Sequence, residues 1–143
     1  MLSAIQIQRH VFSRVDIQTL HVDPGQVETE DYASKIGVSE ITHRPEDDLW
    51  HISLDVQFGP GETQTPVRYR GHLTVHGSFK IHPEFPEDKR EAFIRMNGAS
   101  LLLGSVREMV MLITSRSIAG ELVLATFDAR SFLEEPETPG GQI

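Results

Sequence analysis

The chain contains no cysteine, and this absence excludes several classes of protein. Disulfide frameworks, thiol catalysis and cysteine-ligated zinc all require that residue. Basic residues are also scarce, since 13 Lys and Arg stand against 21 Asp and Glu, for a net charge of −8. A nucleic-acid partner normally requires a basic patch, so this balance argues against one. It is compatible with a soluble protein that attracts basic partners.

Long apolar runs and targeting signals are missing as well. No stretch approaches the roughly 20 consecutive apolar residues of a membrane-spanning helix. The N-terminal sequence MLSAIQIQRH lacks the apolar core of a signal peptide. We therefore expect a cytoplasmic protein without membrane insertion. At 143 residues the chain suits one domain that buries its own core without a disulfide or metal.

Motifs that carry catalysis are not found in the sequence. There is no glycine-rich phosphate loop, no nucleophile elbow and no zinc-binding helix motif. His72 and His76 share one face of a predicted strand, with His51 across from them. A solvated polar face explains them more simply than a metal site, because no further ligand has the required spacing. We expect no enzymatic activity, no cofactor and no metal.

What the sequence does contain is a strong alternation of apolar and polar residues. From Trp50 to Phe58 every even position is apolar, and apolar residues return on odd positions from Val67 to Ile81. This pattern predicts a long antiparallel hairpin with one apolar and one polar face. A first strand region over 4–20 and a second strand from Lys35 to Thr42 bring the prediction to four strands. Residues 22–35 are predicted to form a connecting loop.

The most informative stretch is 97–117, NGASLLLGSVREMVMLITSRS. Its apolar residues recur at spacings of three and four, and further ones widen the apolar surface beyond one stripe. We predict one helix from Pro86 to about Ser117. A surface helix of a monomer needs only one buried face. This helix therefore needs more cover, from a deep core, a partner subunit or a bound client.

Three of the four methionines, Met96, Met109 and Met111, lie on this helix. Flexible, polarisable Met side chains suit a surface that adapts to varied apolar partners, and they also fill ordinary cores. The sequence leaves both interpretations open. The element order is four strands, a long helix, a short apolar piece and an acidic tail, which predicts an α+β domain.

A series of short motifs resembles the SecB family of protein-export chaperones. The motifs are, in chain order, Ile5-Gln6-Ile7-Gln8-Arg9, Asp47-Asp48-Leu49-Trp50, Gly98-Ala99, Val106-Arg107-Glu108, Ser115-Arg116 and Phe127-Asp128-Ala129. Their order and spacing together carry the resemblance. We expect a SecB-like domain over 1–133 and a disordered acidic tail, rich in Pro and Gly, over 134–143.

The resemblance implies a four-stranded antiparallel sheet followed by a long helix packed on one face, assembling as a homotetramer, a dimer of dimers. It implies an ATP-independent cytoplasmic holdase. Such a protein binds unfolded or precursor polypeptides in apolar grooves beside the helix, in protein export or a related role. A chaperone of a toxin–antitoxin system is an alternative, because Pro136 cuts short the family's second helix.

The resemblance also assigns residues by position. One groove wall would hold Tyr32 and Ile36, and the other Leu101, Leu102, Met109, Leu112, Leu122 and Phe127. Contacts between subunits would come from Ala99, Leu103, Val106, Val110 and Ile113. The face that docks the SecA motor in export members would correspond to Arg14, Gln18, Arg70 and His72. These are neutral or basic where the family is acidic, which argues against SecA docking by that route.

Two other classes of protein fit parts of the pattern. A hot-dog-like thioesterase or ligand-binding domain also wraps a sheet around a long apolar helix, but it places that helix early in the chain. A structural module would use all of its apolar surface for assembly. Only client binding separates such a module from a chaperone.

Overall fold

The computed structural model describes residues 3–20, 32–61 and 66–125. Its strands are β1 (Ile5–Thr19), β2 (Tyr32–Val38), β3 (Thr42–Arg44), β4 (Leu49–Pro60) and β5 (Tyr69–Ile81), and a helical segment follows them. The α+β class is therefore confirmed. The predicted disordered tail and Phe127 lie outside the described residues.

The strands form one antiparallel sheet in the order β1-β5-β4-β2, and β3 also pairs with β4. One predicted strand, Lys35 to Thr42, is in fact two. The interruption begins at Ser39, whose hydroxyl takes the place of a backbone carbonyl and accepts a hydrogen bond from the Ser53 backbone N–H at 2.8 Å. β2 also begins earlier than predicted, at Tyr32 opposite Pro60.

The alternation in β4 and β5 places one set of side chains against the helix, as predicted. Ile52, Leu54 and Val56 of β4 are buried, as are Leu73 and Val75 of β5. Complete burial of one such side chain stabilises the fold by about 1.5–3 kcal/mol. A one-residue slip of either strand would expose the whole set, so the hydrophobic pattern determines the register.

β1 departs from strict alternation through two bulges. Its register with β5 shifts between Ile7 and Arg9, and again between Phe12 and Arg14. Arg9 has the same sequence parity as Ile5, and simple alternation would put the two on one face. The first bulge moves Arg9 to the polar face instead, because one extra residue reverses every side chain that follows.

The helical segment Glu87–Thr114 occupies the predicted place and packs on the apolar face of the sheet. It begins with a 3-10 turn, Glu87–Lys89, and α1, Arg90–Phe93. A π-helical turn, Ile94–Gly98, leads into α2, Ala99–Thr114. The Asn97 side-chain amide donates to the Phe93 carbonyl at 3.1 Å within this π turn.

With 28 residues, this segment has the length and apolar composition of a membrane span. A core helix of a soluble protein has the same properties. In this chain Leu102, Val106 and Val110 have no exposed surface, because they pack into the core beneath the sheet. Packing against the sheet therefore accounts for this one apolar face of the helix.

Residues 117–125, the post-helix segment, fold back along the helix. The Tyr69 hydroxyl donates to the Gly120 carbonyl, and Arg107 Nε donates to the Leu124 carbonyl at 3.1 Å. Gly120 has φ +88°, a left-handed conformation that favours glycine in this turn. Leu122 and Leu124 are buried, so the segment closes one side of the core.

Gly104 lies at an exposed position of α2, and a Cβ atom placed there would meet nothing within 4 Å. We expect Gly104→Ala to raise the free energy of unfolding by roughly 0.8–1 kcal/mol, because alanine reduces the backbone entropy lost in the helix. Urea unfolding followed by fluorescence of Trp50, the only tryptophan, measures the change. A lower urea midpoint would contradict the prediction.

Candidate functional site

The two flanks of α2 differ in what covers them. The Ser105 hydroxyl and His10 Nδ1 are 2.9 Å apart, so one flank faces β1. Thr19 and Ser117 meet near the other end of the helix, with their hydroxyl oxygens 3.3 Å apart, so β1 runs alongside it. Arg107 lies about 200° around the helix from Ser105. It contacts the post-helix segment, which therefore covers the opposite flank.

The β1 flank is apolar and open. Leu101 and Leu112 lie one and two turns away from Ser105 on the same side of the helix. Ile7 and Val15 of β1 pair with the buried Phe79 and Leu73, so they lie on the helix side of the sheet. We define the β1-flank strip as the exposed apolar residues on this side of the molecule. They are Ile7, Val15, Leu101, Leu112 and Ile113, which are 38–63% exposed.

An apolar surface of this kind is unusual for a chain that functions alone. Single exposed apolar residues are normal, but a cluster of large ones marks a site of interaction. β1 is also an edge strand of the described sheet, so its outer backbone groups have no strand partner there. An extended peptide can add to such an edge through backbone hydrogen bonds, and the two bulges limit the length available for pairing.

The residues predicted to bind clients do not form one groove. Leu101 and Leu112 lie in the β1-flank strip, and half-buried Met109 lies beside them, one turn from Ser105. Leu102 does not fit the prediction, because it is fully buried in the core and has no surface to offer.

Tyr32, Ile36 and Leu122 belong to the opposite side of the molecule. Tyr32 and Ile36 lie on β2, at the far edge of the sheet from β1, and both are only partly exposed. The Tyr32 ring packs edge to face on Phe58, with centroids 5.9 Å apart. Leu122 is 5% exposed. The chain's own side chains and post-helix segment therefore fill most of this flank.

The residues predicted to contact other subunits are mostly core residues. Four of them have at most 4% of their surface exposed: Ala99, Leu103, Val106 and Val110. The prediction does not fit this placement, because they already pack within the chain's own core. Ile113 alone retains surface, at 38%. The sequence shows the helical stripe, but it does not show that the chain's own sheet covers this stripe.

Several exposed apolar residues were not among the predicted sites. Ile7 and Val15 stand out because β1 is an edge strand, which the sequence does not reveal. Ile118 is 82% exposed and Val123 is 55% exposed, both in the post-helix segment. Their apolar character was visible in the sequence. Their exposure depends on how that segment folds back on the helix.

The polar face of the sheet brings together the four residues predicted to correspond to the SecA-docking face. Arg14, Gln18, Arg70 and His72 line one open concavity of about 470 Å³. On the same face, His76 bonds to the hydroxyls of Ser13 and Ser53, and His51 bonds to that of Ser78. Among residues 3–20, 32–61 and 66–125, no group of three or more His, Asp or Glu residues could hold a metal ion.

Asp55 lies at the centre of this face. His72 Nε2 lies 2.8 Å from its carboxylate, and the Thr74 hydroxyl donates to the same oxygen at 2.6 Å. Partial burial works against the charged form, but the hydrogen bonds from Thr74 and His72 outweigh it and hold the pKa of Asp55 below its usual value. The carboxylate therefore ties β4 to β5.

A lowered pKa makes Asp55 a stabilising group above its unfolded pKa of about 3.9. That contribution is lost as pH falls through the lower, folded pKa. We expect Asp55→Asn to reduce the free energy of unfolding at pH 7 by about 1 kcal/mol, the scale of one exposed hydrogen-bonded carboxylate. The difference from wild type should shrink below pH 4. Urea titrations at pH 7 and below pH 4 test this, and Asp16→Asn, at an exposed position, is the control. A difference in free energy of unfolding that is the same at both pH values would contradict the prediction.

Comparison with known proteins supports the fold. No protein-family model and no curated protein matches this chain. Among solved structures, it is similar to a SecB-like chaperone of Mycobacterium tuberculosis in complex with a ChAD peptide from the HigA1 antitoxin. The TM-score is 0.65 at 17% identity, over 87% of this chain and 91% of that one. A Streptococcus agalactiae protein of unknown function aligns with TM-score 0.46 at 12% identity, over 85% and 96%. The fold is SecB-like.

Proposed function

We propose that the protein is a SecB-like chaperone that binds non-native polypeptides along the β1 flank of its helix. The observation that carries the proposal is the β1-flank strip, where five large apolar side chains remain exposed beside a strand edge that no other described strand pairs with. The SecB-like fold supports it. Exposed apolar segments of an unfolded chain would bury themselves against the strip.

The strip suits binding that tolerates varied sequence. Apolar burial is non-directional, and backbone hydrogen bonds at the β1 edge do not depend on the side chains of the client. Full burial of one Leu or Ile is worth about 1.5–3 kcal/mol. Covering the exposed parts of five such residues would yield on the order of 5 kcal/mol before the cost of ordering the client. Several strips together would hold a client more tightly, which favours an oligomer.

Assembly as a homotetramer, a dimer of dimers, is part of the proposal. Ile113, which belongs to the strip, is the predicted interface residue with the most surface left to contribute. The acidic, soluble composition is consistent with a cytoplasmic location. The proposed binding needs no nucleotide or cofactor, because it is an equilibrium driven by the burial of apolar surface.

The biological role is either protein export or a toxin–antitoxin system. The similar M. tuberculosis chaperone is bound to an antitoxin peptide, which favours the second role for this chain. The basic character of Arg14 and Arg70, at positions that are acidic in the export family, argues in the same direction. We propose a non-enzymatic protein in both cases. A hot-dog-like domain is disfavoured because, along the described chain, the long helix follows all five strands.

Native mass spectrometry with a reduced, unfolded client tests the proposal. We expect a tetramer that captures client chains, and suppression of client aggregation at stoichiometric amounts without nucleotide. A tetramer that neither captures a client nor suppresses aggregation would identify a structural module instead. Comparing an antitoxin-derived peptide with an export precursor would then separate the two roles.

A further inference from the structure

We propose that the polar face of the sheet docks an acidic polypeptide segment of a partner protein. The register places every charged side chain of β1, β2, β4 and β5 on this face, away from the helix. The basic ones are Arg9, Arg14, Lys35, Arg70 and Lys80, and the acidic ones are Asp16 and Asp55. We call this set the basic sheet face.

The charge on this face is opposite to that of the whole molecule. Among the residues that the structure describes, the strands bring five Lys and Arg but only two Asp to this face. A net charge of −8 therefore conceals a positive surface within an acidic protein. Such separation of charge steers a partner of the opposite sign toward one face.

Four of the five basic groups on this face are unpaired among the described residues, and the fifth, Arg14, shares an exposed pair with Asp16. Asp16 lies 4.0 Å from Arg14, and Asp55 accepts hydrogen bonds from its neighbours on the sheet. In the part of the chain that the structure describes, Lys35 and Arg70 form no ion pair, nor do Arg9 and Lys80. All five basic residues are exposed.

The shape of the face suits an extended segment. Arg14, Lys35 and Arg70 line the concavity of about 470 Å³ together with the amides of Gln18 and Gln57. From β1 to β2 the concavity crosses three strand spacings, about 14 Å in all. A peptide lying across the strands would meet successive basic groups with its carboxylates. Guanidinium groups bind carboxylates in pairs of hydrogen bonds, and the amides can bond to a peptide backbone.

A polypeptide fits this face better than a nucleic acid. Affinity for nucleic acid depends on how many phosphates Lys and Arg neutralise, and a protein of net charge −8 with five basic groups on this face can neutralise few. An anionic membrane would be repelled by the acidic remainder of the chain. The basic sheet face also lies on the opposite side of the sheet from the β1-flank strip. A docked partner and a captured client would therefore not compete.

Fluorescence anisotropy with a labelled peptide of alternating Glu and Ser tests the proposal on the full chain. We expect wild type to bind at low salt and to bind less tightly as salt is added. Arg14→Glu/Arg70→Glu should weaken binding at least about tenfold. The matched control is Lys89→Glu/Arg116→Glu, which makes the same charge change at exposed positions outside the sheet and should bind nearly as wild type does.

Circular dichroism verifies folding, and Arg14→Gln/Arg70→Gln provides a milder variant with an intermediate loss of binding. Equal loss in both charge-reversal variants would overturn the proposal, as would the absence of binding by wild type. Binding to phosphatidylserine vesicles but not to the peptide would overturn it in favour of a membrane surface. Aggregation suppression should remain in every variant, so that failure of this proposal is distinct from failure of the chaperone proposal.

Discussion

Leu101→Glu/Leu112→Glu is expected to reduce the suppression of client aggregation at least about tenfold while the chain remains folded. Leu101 is 43% exposed and Leu112 is 63% exposed, so neither contributes fully to the core. Two carboxylates in the β1-flank strip would have to lose water when a client's apolar residues cover them. An unpaired charge is costly to bury, so the strip would no longer hold an apolar segment.

The matched control is Val11→Glu/Val123→Glu. Val11 and Val123 are exposed to a similar degree, at 40% and 55%, but lie outside the strip. Val11 pairs with His76 and so belongs to the polar face of β1. We expect this control to suppress aggregation as wild type does. Equal activity of both variants, with folding verified by circular dichroism, would remove the strip as the binding surface.

The same pair of variants also reports on assembly. If the strip contacts a neighbouring subunit, Leu101→Glu/Leu112→Glu should lower the oligomer mass in native mass spectrometry, and the control should not. If the mass is unchanged while client capture is lost, the strip binds clients alone. These results would divide the exposed apolar residues between their two proposed uses.

Gly71→Val is expected to destabilise the fold by at least about 3 kcal/mol, and Gly71→Ala by about 2 kcal/mol. Gly71 lies on the buried face of β5, and a Cβ atom there would overlap the ring of Phe58. That ring is 3% exposed and packs edge to face on Tyr32, so it has little freedom to move. An overpacked core must shift side chains or backbone, and both cost free energy.

Urea unfolding of the two variants measures the loss, and Gly104→Ala is the matched glycine substitution at a site with open space. Phe58→Leu replaces the ring with a smaller side chain. In the Gly71→Ala background it should restore part of the stability, because both substitutions change the packing at the same site. A Gly71→Ala variant with the wild-type midpoint would contradict the expected overlap.

Local patterns in the sequence were enough to predict the hairpin of β4 and β5 and the position of the helix. Alternation with a period of two across 50–58 and 67–81 predicts one buried face of the hairpin. The spacing of apolar residues after Pro86 predicts a buried face of the helix. These signals are strong because hydrophobic burial acts on each position of a regular element. The prediction weakened where the backbone is irregular. The bulges of β1 and the interruption at Ser39 depend on pairing with strands far away in the chain.

The sequence by itself determined the α+β class, the polar and apolar faces of the hairpin, and the excess of apolar residues on the helix. The tertiary structure decided which of those residues serve the core. Val106 and Val110 are covered by the sheet, whereas Leu112 remains open beside β1. It also gathered Arg14, Lys35 and Arg70 on one face of an acidic protein. The physical reason is that periodicity defines a residue's direction within its own element, while exposure and charge clustering depend on which other elements pack there.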